Sequence, residues 1–180
     1  MKKLVLLAMT LVLMHCEGKK TRESSSQQNE IVEVVEAPKA LEVGDQAIDF
    51  KLINLDGDSI ALSDFRGKYV LLNFWKADCG ACRTKHPYML DVYQEYKDKG
   101  FEVVGVTMDQ FRSRWSAAVS EDSITWTTVS DLQGIYAAVP RAYGVNYIPR
   151  NFLIDPEGVI LLDDLSSFDL ETHLKELIGG

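Results

Sequence analysis

Two cysteines separated by two residues, Cys79 and Cys82, stand where a strand-like run hands over to a helical one, and no other feature constrains the chain as much. Tyr69 to Trp75 is an apolar run of the length of a buried strand. From Gly80 the pattern changes, and Tyr88, Met89, Val92, Tyr93 and Tyr96 recur at helical intervals of three and four. A cysteine at such a junction faces amides that lack intrahelical acceptors and the positive end of the helix dipole, which favours a thiolate on Cys79. Zinc ribbons use the same spacing but close a tetrahedron with a second ligand pair. Here the only other cysteine is Cys16 and the only nearby histidine is His86. Dithiol exchange is the leading chemistry, and no metal site is expected with it. The alternative is a copper-binding module in which Cys79, Cys82 and His86, on one helix face, hold Cu(I).

Around that junction the chain reads as alternating strands and helices. Asp49 to Ile53 and Ser59 to Leu62 flank Asp56-Gly57, a hairpin signal, and 63–68 is a turn feeding the central strand. The helix from Gly80 runs to about Lys99, with Pro87 expected to kink it and Gly100 to stop it. Phe101 to Met108 is the next strand, Phe111 to Ser120 a crossover helix with Trp115 as a packing residue, and Ile124 to Val129 a weak strand. Ile135 to Tyr143 reads as a short helix broken by Pro140. Asn151 to Ile154 and Val159 to Leu162 flank the turn Asp155-Pro156-Glu157-Gly158, and Phe168 to Ile178 forms a final amphipathic helix.

Several separated pieces occur in one order: Leu-Ser-Asp-Phe-Arg-Gly-Lys-Tyr-Val-Leu-Leu-Asn-Phe-Trp at 62–75, Cys-Gly-Ala-Cys-Arg at 79–83, Pro87, and Tyr-Gly-Val-Asn-Tyr-Ile-Pro-Arg-Asn-Phe-Leu-Ile-Asp-Pro-Glu-Gly at 143–158. With these the chain resembles the thioredoxin superfamily, specifically the membrane-tethered TlpA/ResA-like thiol-disulfide oxidoreductases, whose domain is redoxin or AhpC/TSA-like. The resemblance implies an α/β thioredoxin-like fold at 41–180: a central mixed β-sheet flanked by helices, with an N-terminal β-hairpin extension. It implies Cys79 as the more exposed nucleophile, Cys82 as the resolving thiol, and no cofactor beyond their redox-active disulfide. Pro149 takes the place of the family's cis-proline beside the dithiol, Ile148 that of the residue whose backbone pairs with substrate, and Trp75 that of a substrate contact. Asn73, Lys85 and Pro87 are supporting positions.

Charges near the pair act in both directions. Lys76, Arg83, Lys85 and Arg150 would favour a thiolate and Asp78 would oppose it. Asn73 stands where thioredoxin has a buried carboxylate, and an amide cannot take the proton of Cys82. Lys85 stands where the cytochrome-maturation branch has a glutamate, which argues against an apocytochrome substrate. Lys76 stands where peroxiredoxins carry a hydroxyl residue, which argues against a peroxidase.

The N-terminus reads as an export signal. Lys2-Lys3 precede an apolar run from Leu4 to Met14 that is shorter than the roughly 20 residues of a spanning helix. Cys16 follows where a lipoprotein signal places its acylated cysteine, although Met14-His15 are larger than the residues usual there. This gives a signal at 1–16, a polar tether at 17–40 with strand character at Ile31–Val35, and a periplasmic, lipid-anchored domain in the cell envelope. Expected partners are envelope proteins bearing thiols or disulfides and a membrane dithiol electron donor. A formal charge of −8 leaves no basic face for nucleic acid. The expected activity is reduction of envelope-protein disulfides, with a dithiol oxidase or isomerase as the other direction of the same chemistry.

Overall fold

Alternation along one strand sets the architecture. In β3 (Tyr69–Trp75) Leu71 and Trp75 point into one core and Val70, Leu72 and Phe74 into another, and all five are at most 2% exposed. A strand apolar on both faces is stable only with cover on each, so β3 must lie inside a sheet sandwiched by other elements.

The computed structural model describes residues 41–179, so the signal, the tether, the strand tendency at 31–35 and Cys16 lie outside the described residues. Seven strands form one mixed sheet in the order β2-β1-β5-β4-β3-β6-β7. β1 (Lys51–Asn54) and β2 (Ser59–Ala61) make the N-terminal hairpin, turned at Gly57 with a φ of 93° that favours glycine. α1 (Gly80–Tyr96) connects β3 to the parallel β4 (Phe101–Thr107), and α2 (Arg112–Glu121) connects β4 to the parallel β5 (Thr127–Ser130). After α3 (Ala138–Ala142), β6 (Arg150–Ile154) runs antiparallel to β3, β7 (Ile160–Asp163) returns beside it, and α4 (Ser167–Ile178) closes the fold. α1, α2 and α4 cover one face, with Met89, Val92, Trp115, Leu170 and Leu174 in its core. α3 and the segment around β1 and β2 cover the other, with Val139, Tyr143, Leu52 and Leu62. Among the described residues no helix is long and apolar enough to cross a membrane.

Two expectations shift. β5 begins at Thr127, three residues after the predicted start, because Ser123 at a φ of 54° turns the chain and Ile124 and Trp126 pack into the core before the sheet is reached. Pro140 does not break a helix: it is the third residue of α3, in the first turn, where a missing N–H costs no intrahelical bond. α1 carries Pro87 as its eighth residue and runs to Tyr96, where a 3-10 turn over Lys97–Lys99 ends at Gly100. Trp115 packs as expected, 1% exposed, with Nε1 donating to Thr128 Oγ1 at 3.1 Å.

Candidate active site

The segment leaving β3 is fixed before it reaches the cysteines. Asp109, 1% exposed, accepts from the Ala77 amide at 2.9 Å and from Thr107 Oγ1 at 2.5 Å, and the Met108 amide donates to Trp75 O at 2.9 Å. Cys79 is the N-cap of α1: its carbonyl accepts from the Cys82 and Arg83 amides, both at 3.1 Å, and its Sγ accepts from the Cys82 amide, also at 3.1 Å. The sulfur therefore sits against the helix N-terminus, where negative charge is stabilised. Cys79 and Cys82 are joined as a disulfide, Cys79 half-buried and Cys82 only 2% exposed.

The Ile148–Pro149 bond is cis and leads into β6, next to β3 in the sheet. Pro149 and Cys82 line one small cavity together with Asn73, Lys85, Met89 and Asn151. Ile148 is half-buried and packs against both cores. Arg150 anchors this turn: it pairs with Asp163 and Asp164, donates to Tyr147 Oη at 2.6 Å and lies over the Phe152 ring.

Most of the cations expected to act on the dithiol are held elsewhere. Lys76 pairs with the opposing Asp78 at 2.9 Å, and Arg150 is committed to Asp163 and Asp164. Arg83 pairs with Asp122 at 2.6 Å and Glu121 at 2.8 Å, and these bonds, Asp122 first, raise its pKa further. Among the described residues only Lys85 of the four has no carboxylate partner.

His86 corrects the copper alternative. It is 1% exposed, its Nδ1 lies 2.7 Å from Asp122 Oδ2, and its ring meets Trp75 and Trp126 edge to face. The carboxylate can only accept, so Nδ1 carries the proton and Nε2, which has no partner among the described residues, carries the lone pair. Burial pushes the imidazole below its ordinary pKa against the pull of Asp122. Burial alone would raise the Asp122 carboxyl, but hydrogen bonds from Arg83 and His86 hold it below its ordinary value. Among the described residues no three His, Cys, Asp or Glu side chains are placed to hold a metal ion, so Cys79, Cys82 and His86 do not form the expected ligand set. Trp75, expected to contact substrate, is fully buried and packs edge to face against His86, so its ring is covered in this structure.

Neither Asp109 nor the Asp122 clamp had a signal in the sequence. Asp122 lies 36 residues from His86, in a polar stretch at the end of α2 that marks only a helix terminus.

Comparison with known proteins places this geometry. The AhpC/TSA family model matches residues 43–162. Thiol-disulfide oxidoreductase ResA of Geobacillus kaustophilus is 36% identical over 141 residues, 77% of this chain and 79% of the relative, and ResA of Bacillus thuringiensis is 32% identical over 140 residues, 76% and 79%. Among solved structures, the thioredoxin domain of a thiol-disulfide oxidoreductase from Bacteroides vulgatus superposes with a TM-score of 0.73 at 37% identity, covering 77% of this chain and 99% of that one. A thiol:disulfide interchange protein from Bacteroides sp. gives 0.73 at 36%, covering 79% and 93%.

Proposed function

The chain belongs to the AhpC/TSA family and is a thioredoxin-like thiol-disulfide oxidoreductase, and from that premise we propose that it reduces disulfides of envelope proteins, with Cys79 attacking and Cys82 resolving. The observation that carries the assignment of roles is the asymmetry of the pair: Cys79 is half-buried at the helix start, and Cys82 is 2% exposed one turn further in. Only the outer sulfur is accessible to a protein disulfide. The cycle runs through thiolate attack by Cys79, a mixed disulfide, and release of the substrate when Cys82 attacks Cys79. Pro149 offers no N–H beside the sulfurs, and Ile148 presents its backbone to an extended substrate. Lys85 and Asn73 support the Cys82 side, and Pro87 the helix that carries both cysteines.

The same proposal places the domain in the periplasm, exported by residues 1–16, acylated at Cys16, held off the membrane by 17–40 and re-reduced by a membrane dithiol donor. The Cys82→Ala chain tests it. Mixed disulfides with envelope proteins should accumulate on Cys79 and be identifiable by mass, because attack needs one thiol and release needs two. Trapping by Cys79→Ala instead would reverse the roles. Substrates trapped only as reduced proteins awaiting oxidation, together with a strongly oxidising potential, would reverse the direction.

A further inference from the structure

Lys85 stands three residues beyond Cys82 on α1, one helical turn away, and lines the same cavity. Among the described residues the carboxylates of the neighbouring segments have partners: Asp163 and Asp164 pair with Arg150, Asp122 with Arg83 and His86, Asp78 with Lys76, and Glu171 accepts from the Tyr88 hydroxyl, while Asp169 accepts from Ser166, itself part of the cavity wall. The amides that line it are neutral. Asn151 exchanges two hydrogen bonds with the Leu165 backbone, at 3.0 and 2.8 Å, and Asn73, 4% exposed, lines the cavity with Cys82 and Lys85. At 2% exposure an ionised Cys82 sulfur is costly unless an opposite charge accompanies it, yet only the thiolate resolves a mixed disulfide.

Building on the reading of Cys82 as the resolving thiol, we propose that the Lys85 ammonium stabilises the Cys82 thiolate, so that this chain resolves its mixed disulfide beside a cation and without a carboxylate base. In that step the Cys82 proton passes to water at the cavity mouth and the sulfur's electron pair forms the bond to Cys79 Sγ. The Cys79–substrate bond breaks, and the substrate sulfur leaves with its electron pair and takes a proton from water. The dithiol loses two electrons and the substrate disulfide gains them. Lys85 forms no bond and transfers no proton: it positions charge. By favouring the reduced form, it also makes the pair more oxidising than a neutral residue there would.

The full-length chain carrying Cys16→Ser and Cys79→Ser has Cys82 as its sole thiol, and thiolate absorbance then reads its ionisation directly. Replacing Lys85 by Gln should move the titration midpoint up by about one pH unit, Lys85→Glu should move it further, and Lys85→Arg should leave it near the parent. With both cysteines intact, Lys85→Gln should slow substrate release near neutral pH by about tenfold, the rate being restored at higher pH. Coincident midpoints for Lys, Gln and Arg, each folded by circular dichroism, overturn the proposal. The titration needs no substrate, so a dithiol protein that fails to reduce disulfides would refute the proposed function and leave the Lys85 result standing.

Discussion

The two faces of the sheet share every strand yet are filled to opposite specifications. Under α1, α2 and α4 the core holds Cys82, His86, Asn73 and the tryptophans 75, 115 and 126, and three of its buried nitrogens, Trp75 Nε1, Trp126 Nε1 and His86 Nε2, have no hydrogen-bond partner. Under α3 and the N-terminal segment the core is Val70, Leu72, Phe74, Val104, Val106, Val129, Phe152 and Ile154, with one hydroxyl, that of Tyr143, donated to Ile48 O at 2.6 Å. An unpaired buried polar group costs about 1–3 kcal/mol. The first face carries such groups around the dithiol, and the second carries none among the described residues. Stability and chemistry are thus divided by the sheet: the apolar face offsets polar costs that the reactive face cannot avoid.

The division is broken most directly from the apolar side. Leu72, fully buried on β3 opposite Val104 and Phe152, should cost about 3 kcal/mol as Leu72→Ala, from lost transfer energy plus the cavity left behind. Denaturant unfolding measures the loss. If the faces are separate, the reduction potential of the Cys79–Cys82 pair stays at the parent value, and a measurable change would show that packing on the second face reaches the dithiol.

On the reactive face Asp122→Asn should cost about 2 kcal/mol, since it removes charge-assisted bonds to Arg83 and His86 and leaves an imidazole with no fixed tautomer. The pH dependence has a definite sign. His86 has its folded pKa lowered by burial below the ordinary 6.5, so the neutral ring's contribution is complete above 6.5 and is lost as pH falls below it towards the folded value. Asp122, held below its ordinary 3.8, contributes above 3.8 and loses that contribution as pH falls through its own folded pKa. Both make acid destabilising, with His86 acting first. Stability of the parent should therefore begin to weaken as pH falls below about 6.5, and that of His86→Phe should not until the carboxylates titrate. Equal pH slopes in the two would remove His86 from this account.

What the sequence revealed follows the same division. The apolar face was legible because the apolar run at 69–75 and the turn residues at 56–57 and 155–158 report local backbone preference, and local preference and the final fold agree there. The dithiol and Pro149 were legible because a motif fixes them. The Asp122 clamp and the Asp109 hydrogen bonds were not, because partners 36 and 32 residues apart meet only after β4 and α2 are placed. Trp75 was read as a substrate contact because a motif position does not reveal which way a side chain packs, and His86 was offered to a metal because helical spacing alone cannot show that Asp122 has taken its Nδ1.

The smallest effect lies where the reactive face is tightest. Gly105 on β4 pairs with Asn73 on one side and Thr128 on the other, and a Cβ there would stand 3.1 Å from Trp75 Nε1 and 3.3 Å from both Trp126 Nε1 and Thr128 Cγ2. Its φ is not in the positive range, so alanine meets no backbone strain and gains about 0.4–1 kcal/mol by restricting the unfolded chain. Against this, overpacking a rigid core typically costs about 1–3 kcal/mol. The neighbours have little freedom to yield: Thr128 is tied to Trp115, and Trp75 and Trp126 are wedged on either side of His86. Crowding should therefore win narrowly, with Gly105→Ala destabilised by about 1 kcal/mol. The tryptophan emission should shift as the two indoles move. A variant more stable than the parent, with unchanged emission, would show slack around the unpaired nitrogens, and the reactive face would then be loosely filled where the contrast between the faces requires it to be tight.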